Sequence, residues 1–270
     1  MTTLRRASDW LLPAIRPLAP LALAVLLLLG AAIAPGCASS SRERPLDAPE
    51  VTIAPYAPGI GETLWVVAPL RNESGTSLVR SDQVTDAVIA AVAEVRGVRT
   101  LPYDRTTAAM RAMGLESIDT PAQALALART LGADGVIVGT ITAWDPYNPP
   151  AIGLNLALLA TESALANVDP RALIAAPTDG APVSMGLAAD LPMAIVSEHL
   201  DARNHQVLSD LRSYALGRHD RRDALSWEVY LASMPLYTKF AAHHAVAGLV
   251  REEWIRLAQA VPPPANPTVP

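Results

Sequence analysis

The chain of 270 residues contains one cysteine, Cys37, and one lysine, Lys239. A single cysteine excludes a disulfide within the chain, a cysteine-based zinc site and a thiol redox pair. The lone lysine follows no glycine-rich turn, so the phosphate loop G-x-x-x-x-G-K is absent. Aromatic residues make up 4% of the sequence, with one phenylalanine. So few rings argue against a large aromatic-lined pocket and against a base-stacking platform. Positive charge is also in short supply. The formal net charge is −5, which argues against nucleic acid as a partner and against broad adhesion to anionic lipid. No H-x3-H, H-E-x-x-H or G-x-S-x-G spacing occurs, so metalloprotease and serine-hydrolase signatures are missing.

What the sequence does have is concentrated at residues 18–37, LAPLALAVLLLLGAAIAPGC. Arg5, Arg6 and Arg16 stand before this run against one acid, Asp9, and only Pro20 and Gly30 interrupt the apolar stretch 18–33. A basic leader, an apolar core and a small-residue end are the parts of a secretory signal. The end, Ala34-Pro35-Gly36-Cys37, resembles the lipobox of bacterial lipoproteins, with Ala34 where a leucine is usual. The resemblance implies cleavage before Cys37 and acylation of that cysteine. Two acyl chains anchor stably where one is marginal, at ~0.8 kcal/mol per buried CH2. Two other readings stay open: an uncleaved membrane helix near the lower spanning length, and Cys37 as an ordinary thiol. Arg5-Arg6 is followed by Ala7, Ser8 and Asp9, which does not support a twin-arginine signal. Loss of residues 1–36 removes three arginines and one aspartate, so the mature chain is more acidic still.

The expected organisation is a signal peptide at 1–36, a lipid-attachment cysteine and tether at 37–60, one domain at 61–260, and a disordered tail at 261–270. The tether carries Pro45, Pro49, Pro55 and Pro58 and no hydrophobic period. Within the domain, strands are expected at 63–69, 98–102, 134–144, 151–159 and 193–200. Helices are expected at 81–96, 104–113, 120–131, 205–216 and 233–259. Val84, Ala87, Val88, Ala91, Val92 and Val95 make the stripe of the first helix, with Ser81 as its cap. Thr120-Pro121 opens the third, with proline at its first position. Ile152, Leu154, Leu156 and Leu158 alternate with small residues, the pattern of a half-buried strand. Residues 71–80 are read as a polar loop. Residues 160–192 are read as a surface insertion with a short helix near 170–175. In the last helix Leu236, Phe240, His244, Ala247, Val250, Trp254 and Leu257 are assigned to the apolar face. The order is βαβααβββαα, an α/β fold in which a mixed β-sheet carries packed helices.

Asn72, Gly75, Thr85-Asp86, Leu131-Gly132-Ala133-Asp134 and Gly139, with the strands around them, resemble a recurrent envelope domain. It is found in the curli-secretion-channel lipoproteins, the amino-terminal domain of TolB and the lipoprotein activators of penicillin-binding proteins. The likeness covers residues 64–159. It implies a non-enzymatic assembly or accessory factor, held in the membrane by acyl chains on Cys37 and working through contacts with envelope proteins. A homo-oligomer is compatible with it. Ala38 after the cysteine resembles outer-membrane sorting, which implies a place facing the periplasm. The alternative is a subunit of a curli-type channel. Such channels insert barrel hairpins between the strands equivalent to 134–144 and 151–159. Here residues 145–150 hold three prolines in six positions, and the 160–192 insertion is broken by Pro170, Pro177, Gly180, Pro182 and Gly186. A domain that does not span a membrane is therefore expected.

No catalytic, cofactor or metal residue is assigned. His199, Asp201 and His205 could approach one another at a strand-to-helix turn, but they lack ligand spacing, and exposed turn residues are the plainer reading. His219 is the remaining histidine of the last third of the chain. Adjacent His243 and His244 point about 100° apart on a helix; one is expected to pack and the other to face solvent. Asn72–Thr76 could offer backbone N–H groups to an anion or simply shape a turn. Ser74 lacks a nucleophile elbow. Glu252 and Glu253 are read as a solvated helix face.

Overall fold

The computed structural model describes residues 49–56, 62–161, 192–218 and 225–260. The signal segment, Cys37, the first part of the tether, residues 162–191 of the insertion, His219 and the tail lie outside the described residues.

The chain enters the domain with strand β1 (Thr63–Val67) and the two-residue β2 (Arg71–Asn72), then helix α1 (Ser81–Ala93), β3 (Val98–Thr100), α2 (Tyr103–Ala112) and α3 (Pro121–Leu131). The hairpin β4 (Gly135–Asp145) and β5 (Ala151–Ala160) follows, then β6 (Ala194–Asp201) and α4 (His205–Ala215). A 3-10 turn at Ser226–Glu228 leads to α5 (Val229–Ala232) and α6 (Met234–Ala260). The sheet order is β3-β1-β4-β5-β6, with β2 also on β4. Strands separated by helices pair in parallel, β1 with β3 and with β4, whereas β4–β5 and β5–β6 are antiparallel. The mixed sheet with packed helices is thus the fold.

Two cores sit on the two faces of the sheet. On one face α1 and α6 cover Trp65, Val67, Ile137, Ile141 and the β5 residues Ile152, Leu154, Leu156 and Leu158. On the other, α2 and α3 cover Val66, Ala68, Val136 and Leu159 with Met110, Leu125 and Leu127. Each such side chain, fully buried, contributes roughly 1.5–3 kcal/mol. The α1 stripe lies on the core, with Val84, Val88 and Val92 fully buried. Helix α6 approaches β6 closely at Gly248, where a Cβ would meet Val196 Cγ2 at 2.8 Å.

Local chemistry fixes the junctions. Thr120 accepts from Gln123 N (3.3 Å) and Gln123 Oε1 accepts from Thr120 N (3.2 Å), a reciprocal cap on α3. Gly132 ends that helix at φ 64°, the left-handed conformation that glycine adopts without strain. Asp134 then accepts from Leu64 N at 2.8 Å and ties β4 to β1. Thr85, fully buried, accepts from Leu70 N at 3.0 Å and donates to Ser81 O at 2.7 Å.

Several sequence expectations are corrected. Ser81 is the first residue of α1 rather than its cap, and Arg80 stands before it without a side-chain cap. The expected loop 71–80 begins as β2, because Arg71 and Asn72 find partners in Thr140 and Ile141 of the long β4. Trp254 is 51% exposed rather than on the apolar face of α6. Glu253 is fully buried rather than solvated. It lies three and four positions after Val250 and Leu249, on the buried side of the helix.

Candidate functional site

A bulge in β4 between Ile141 and Ala143 shifts the alternation of the strand. Trp144 thereby joins Ile137 and Ile141 on the face that carries α1 and α6, opposite Ile152 of β5. Asp145 Oδ1 then accepts from Tyr147 N (3.1 Å) and shapes the turn that presents Tyr147. Between this turn, the outer side of α1 and the start of α6 lies an open groove of about 690 Å³. Leu78, Val84, Ala87 and Ala90 form one wall, Trp144, Pro146 and Tyr147 another, and Met234 and Pro235 a third. Leu78 and Tyr147 stand on its rim, 58% and 73% exposed. The shortage of aromatic residues did not prevent this pocket. Two rings suffice where a turn places them together with aliphatic side chains.

The polar groups of the groove carry both signs. Lys239, the lone lysine, lines it and forms no ion pair among the described residues. Arg80 is held by Asp82 through two contacts, 2.9 and 3.2 Å. Asp86 also lines the groove. Partial burial, and then the neighbouring carboxylates Asp82 and Asp104, hold its carboxyl above the usual range.

A second cluster of charged groups joins α1, α4 and α6. Arg218 donates to Glu94 at 2.7 Å and lies 4.3 Å over the Tyr214 ring. His243 Nδ1 is 3.4 Å from the same Glu94 oxygen. Burial, helped by the charge of Arg218, lowers the His243 pKa, against the pull of Glu94 and Glu50. Burial pushes the Tyr214 hydroxyl up to about 12. The cluster fastens helices together.

A third group was not foreseen. The Glu253 carboxylate receives Arg256 Nε and an Arg256 terminal nitrogen, both at 2.7 Å, and the Tyr56 hydroxyl at 3.2 Å. Burial first, and then the charge of Glu253, raises the Tyr56 pKa. The signal for it was Glu253-x-x-Arg256, an i,i+3 pair.

The residues weighed from sequence are not assembled into a reaction centre. His199 and His205 are exposed, and Asp201 is engaged by Arg203 through its backbone N–H at 2.8 Å. His243 and His244 are both half-buried rather than one packed and one solvated. Each faces a different carboxylate, Glu94 and, at 3.9 Å, Glu198. Asn72 spends its side chain within the turn, accepting from Ser74 N and Oγ (3.1 and 2.6 Å) and donating to Thr76 O (2.7 Å). Among the described residues no three His, Cys, Asp or Glu side chains are grouped to hold a metal ion, and no helix is long and apolar enough to cross a membrane.

No protein-family model matches the sequence, and no curated protein matches it. Solved structures with partial likeness include the LpoB C-terminal domain from Salmonella enterica, at 15% identity and TM-score 0.36, over 54% of this chain and 87% of that one. Lipoprotein GNA1162 from Neisseria meningitidis is 14% identical at TM-score 0.37, over 56% of this chain and 91% of that one. The PelC dodecamer from Paraburkholderia phytofirmans is 17% identical at TM-score 0.23, over 38% and 64%. Of the three groups that the sequence resembles, the penicillin-binding-protein activators are represented here by LpoB.

Proposed function

We propose that this chain is a lipid-anchored envelope protein that acts as an assembly or accessory factor by gripping a segment of another protein in the α1–turn–α6 groove. The observation that carries the reading is the groove itself. Its walls carry Trp144, Tyr147 and Met234, and interface cores are enriched in aromatic residues and methionine. Lys239, without an ion pair among the described residues, lies beside an apolar floor and suits a polypeptide with an apolar anchor and a nearby carboxylate, and one such contact across an interface sets register and orientation. The anchor is the acylated Cys37. Its supports are the basic leader, the apolar run and the small-residue end before the lone cysteine. A periplasmic place, on the outer membrane, follows from Ala38.

The curli-type channel reading has less support. The connection between β4 and β5, where such channels insert membrane hairpins, runs only from Pro146 to Pro150. The test of the accessory reading uses a photo-crosslinking residue at Tyr147 and, as a control, at the exposed Glu116, in the full chain expressed in cells. Tyr147 should yield one discrete heavier adduct, which Leu78→Asp removes. Equal adducts from both sites would refute the groove as the point of contact.

A further inference from the structure

Segment 49–56 is where the chain coming from Cys37 first joins the fold, and it is firmly strapped down. Ala54 N donates to Arg96 O at 3.0 Å and Arg96 N to Thr52 O at 2.9 Å. Tyr56 packs edge-on to Trp65, ring centres 6.1 Å apart, and bonds Glu253. Trp254 Nε1 donates to Ile53 O at 2.9 Å. Ala54 is buried, and the extended alternation turns Val51 and Ile53 outward, 48% and 50% exposed. Trp254 and Ile255 of α6 are likewise open, at 51% and 44%. The Trp254–Ile53 bond sets the end of α6 beside the strap, and the large apolar side chains of both face solvent there. Such a patch marks a place of contact rather than a chance exposure.

We propose that the Val51, Ile53, Trp254 and Ile255 surface enters the headgroup region of the bilayer that holds the acyl chains of Cys37. The inference rests on the anchor reading above. About a dozen residues separate Cys37 from the strap, a span of at most on the order of 40 Å even when fully extended. The patch lies where that tether joins the fold, so it is the part of the domain kept nearest the lipid. Tethering also raises its effective concentration at the bilayer, so a weak contact suffices. The indole suits such a place: its N–H is already satisfied by a carbonyl while its ring is free, and tryptophan favours the membrane–water interface. The exposed charges around the patch are balanced, Arg96 and Arg251 against Glu50 and Glu252. The contact is therefore apolar and independent of anionic lipid.

The test reconstitutes the mature acylated protein into phosphatidylcholine vesicles carrying brominated acyl chains, with and without phosphatidylglycerol. Flotation reports the anchor. The emission difference between wild type and Trp254→Phe reports the patch. That difference should be quenched and blue-shifted to the same extent in both lipid mixtures, and Ile255→Asp should abolish the quenching while leaving flotation intact. Protein that floats with Trp254 unquenched overturns the inference alone and hands the patch to a protein partner. Protein that does not float overturns the anchor reading and this inference with it.

Discussion

Tyr56 and Glu253 stand 197 positions apart in sequence and 3.2 Å apart in the fold. Their hydrogen bond closes the domain, joining segment 49–56 to α6. Glu253 is fully buried, and Arg256 donates to both of its oxygens while remaining 31% exposed itself. Arg256→Ala should cost about 3 kcal/mol, the low end for stripping a buried carboxylate of its cation, because the arginine is partly in water. Tyr56→Phe should cost about 1–2 kcal/mol. Urea denaturation midpoints check both, and an Arg256→Ala protein as stable as wild type would show that the pair holds nothing together.

Val88→Asp should unfold the domain. Val88 is fully buried in the middle of α1, and an unpaired buried carboxylate costs several kcal/mol against a total stability of roughly 5–15. The melting temperature measures it; an unchanged value would mean that the α1 stripe does not face the core.

Stability should fall as the solution is acidified through the ordinary histidine range. The pKa of His243 is lowered from 6.5 in the fold, so below that pH the unfolded chain binds the proton more readily than the folded one. The loss begins near the unfolded value and grows until pH reaches the folded pKa. The groups facing the imidazole are Glu94 from the end of α1, Arg218 and Tyr214 from the α4 side, and Glu50 from the strap. Wild type and His243→Gln should diverge as the pH falls through 6.5, with the variant less sensitive. Parallel pH profiles would remove His243 as the cause.

Cys37→Ser should release the protein from membranes. The basic leader and apolar run remain in the variant, so export continues while acylation is lost. Phase partition in detergent checks it. A variant that stays in the detergent phase at the processed mass would end the lipoprotein reading.

Much of the fold was legible because it depends on short-range periodicity. The α1 stripe, the alternation of β5 and the Thr120-Pro121 start of α3 each follow from residues close in sequence. Glu253 was misread because its burial depends on Tyr56, far away in the chain, and because adjacent glutamates suggest a solvated face. Trp254 was misread because the stripe drawn through the larger residues lies beside the buried one, which runs through Ala241, Ala245, Leu249 and Glu253. The groove was invisible for a different reason. It needs a bulge in β4, the Tyr147 turn and the start of α6 at once, and neither composition nor period reports a juxtaposition of that kind.

Helix α6 carries Lys239 near one end and Trp254 near the other, fifteen residues along one uninterrupted rod. At a rise of 1.5 Å per residue they are separated by roughly 22 Å along its axis. The helix is in effect a ruler. Any chain seated in the groove stands at a set height above any surface met by the strap, and that height is written into the length of α6 rather than into the tether.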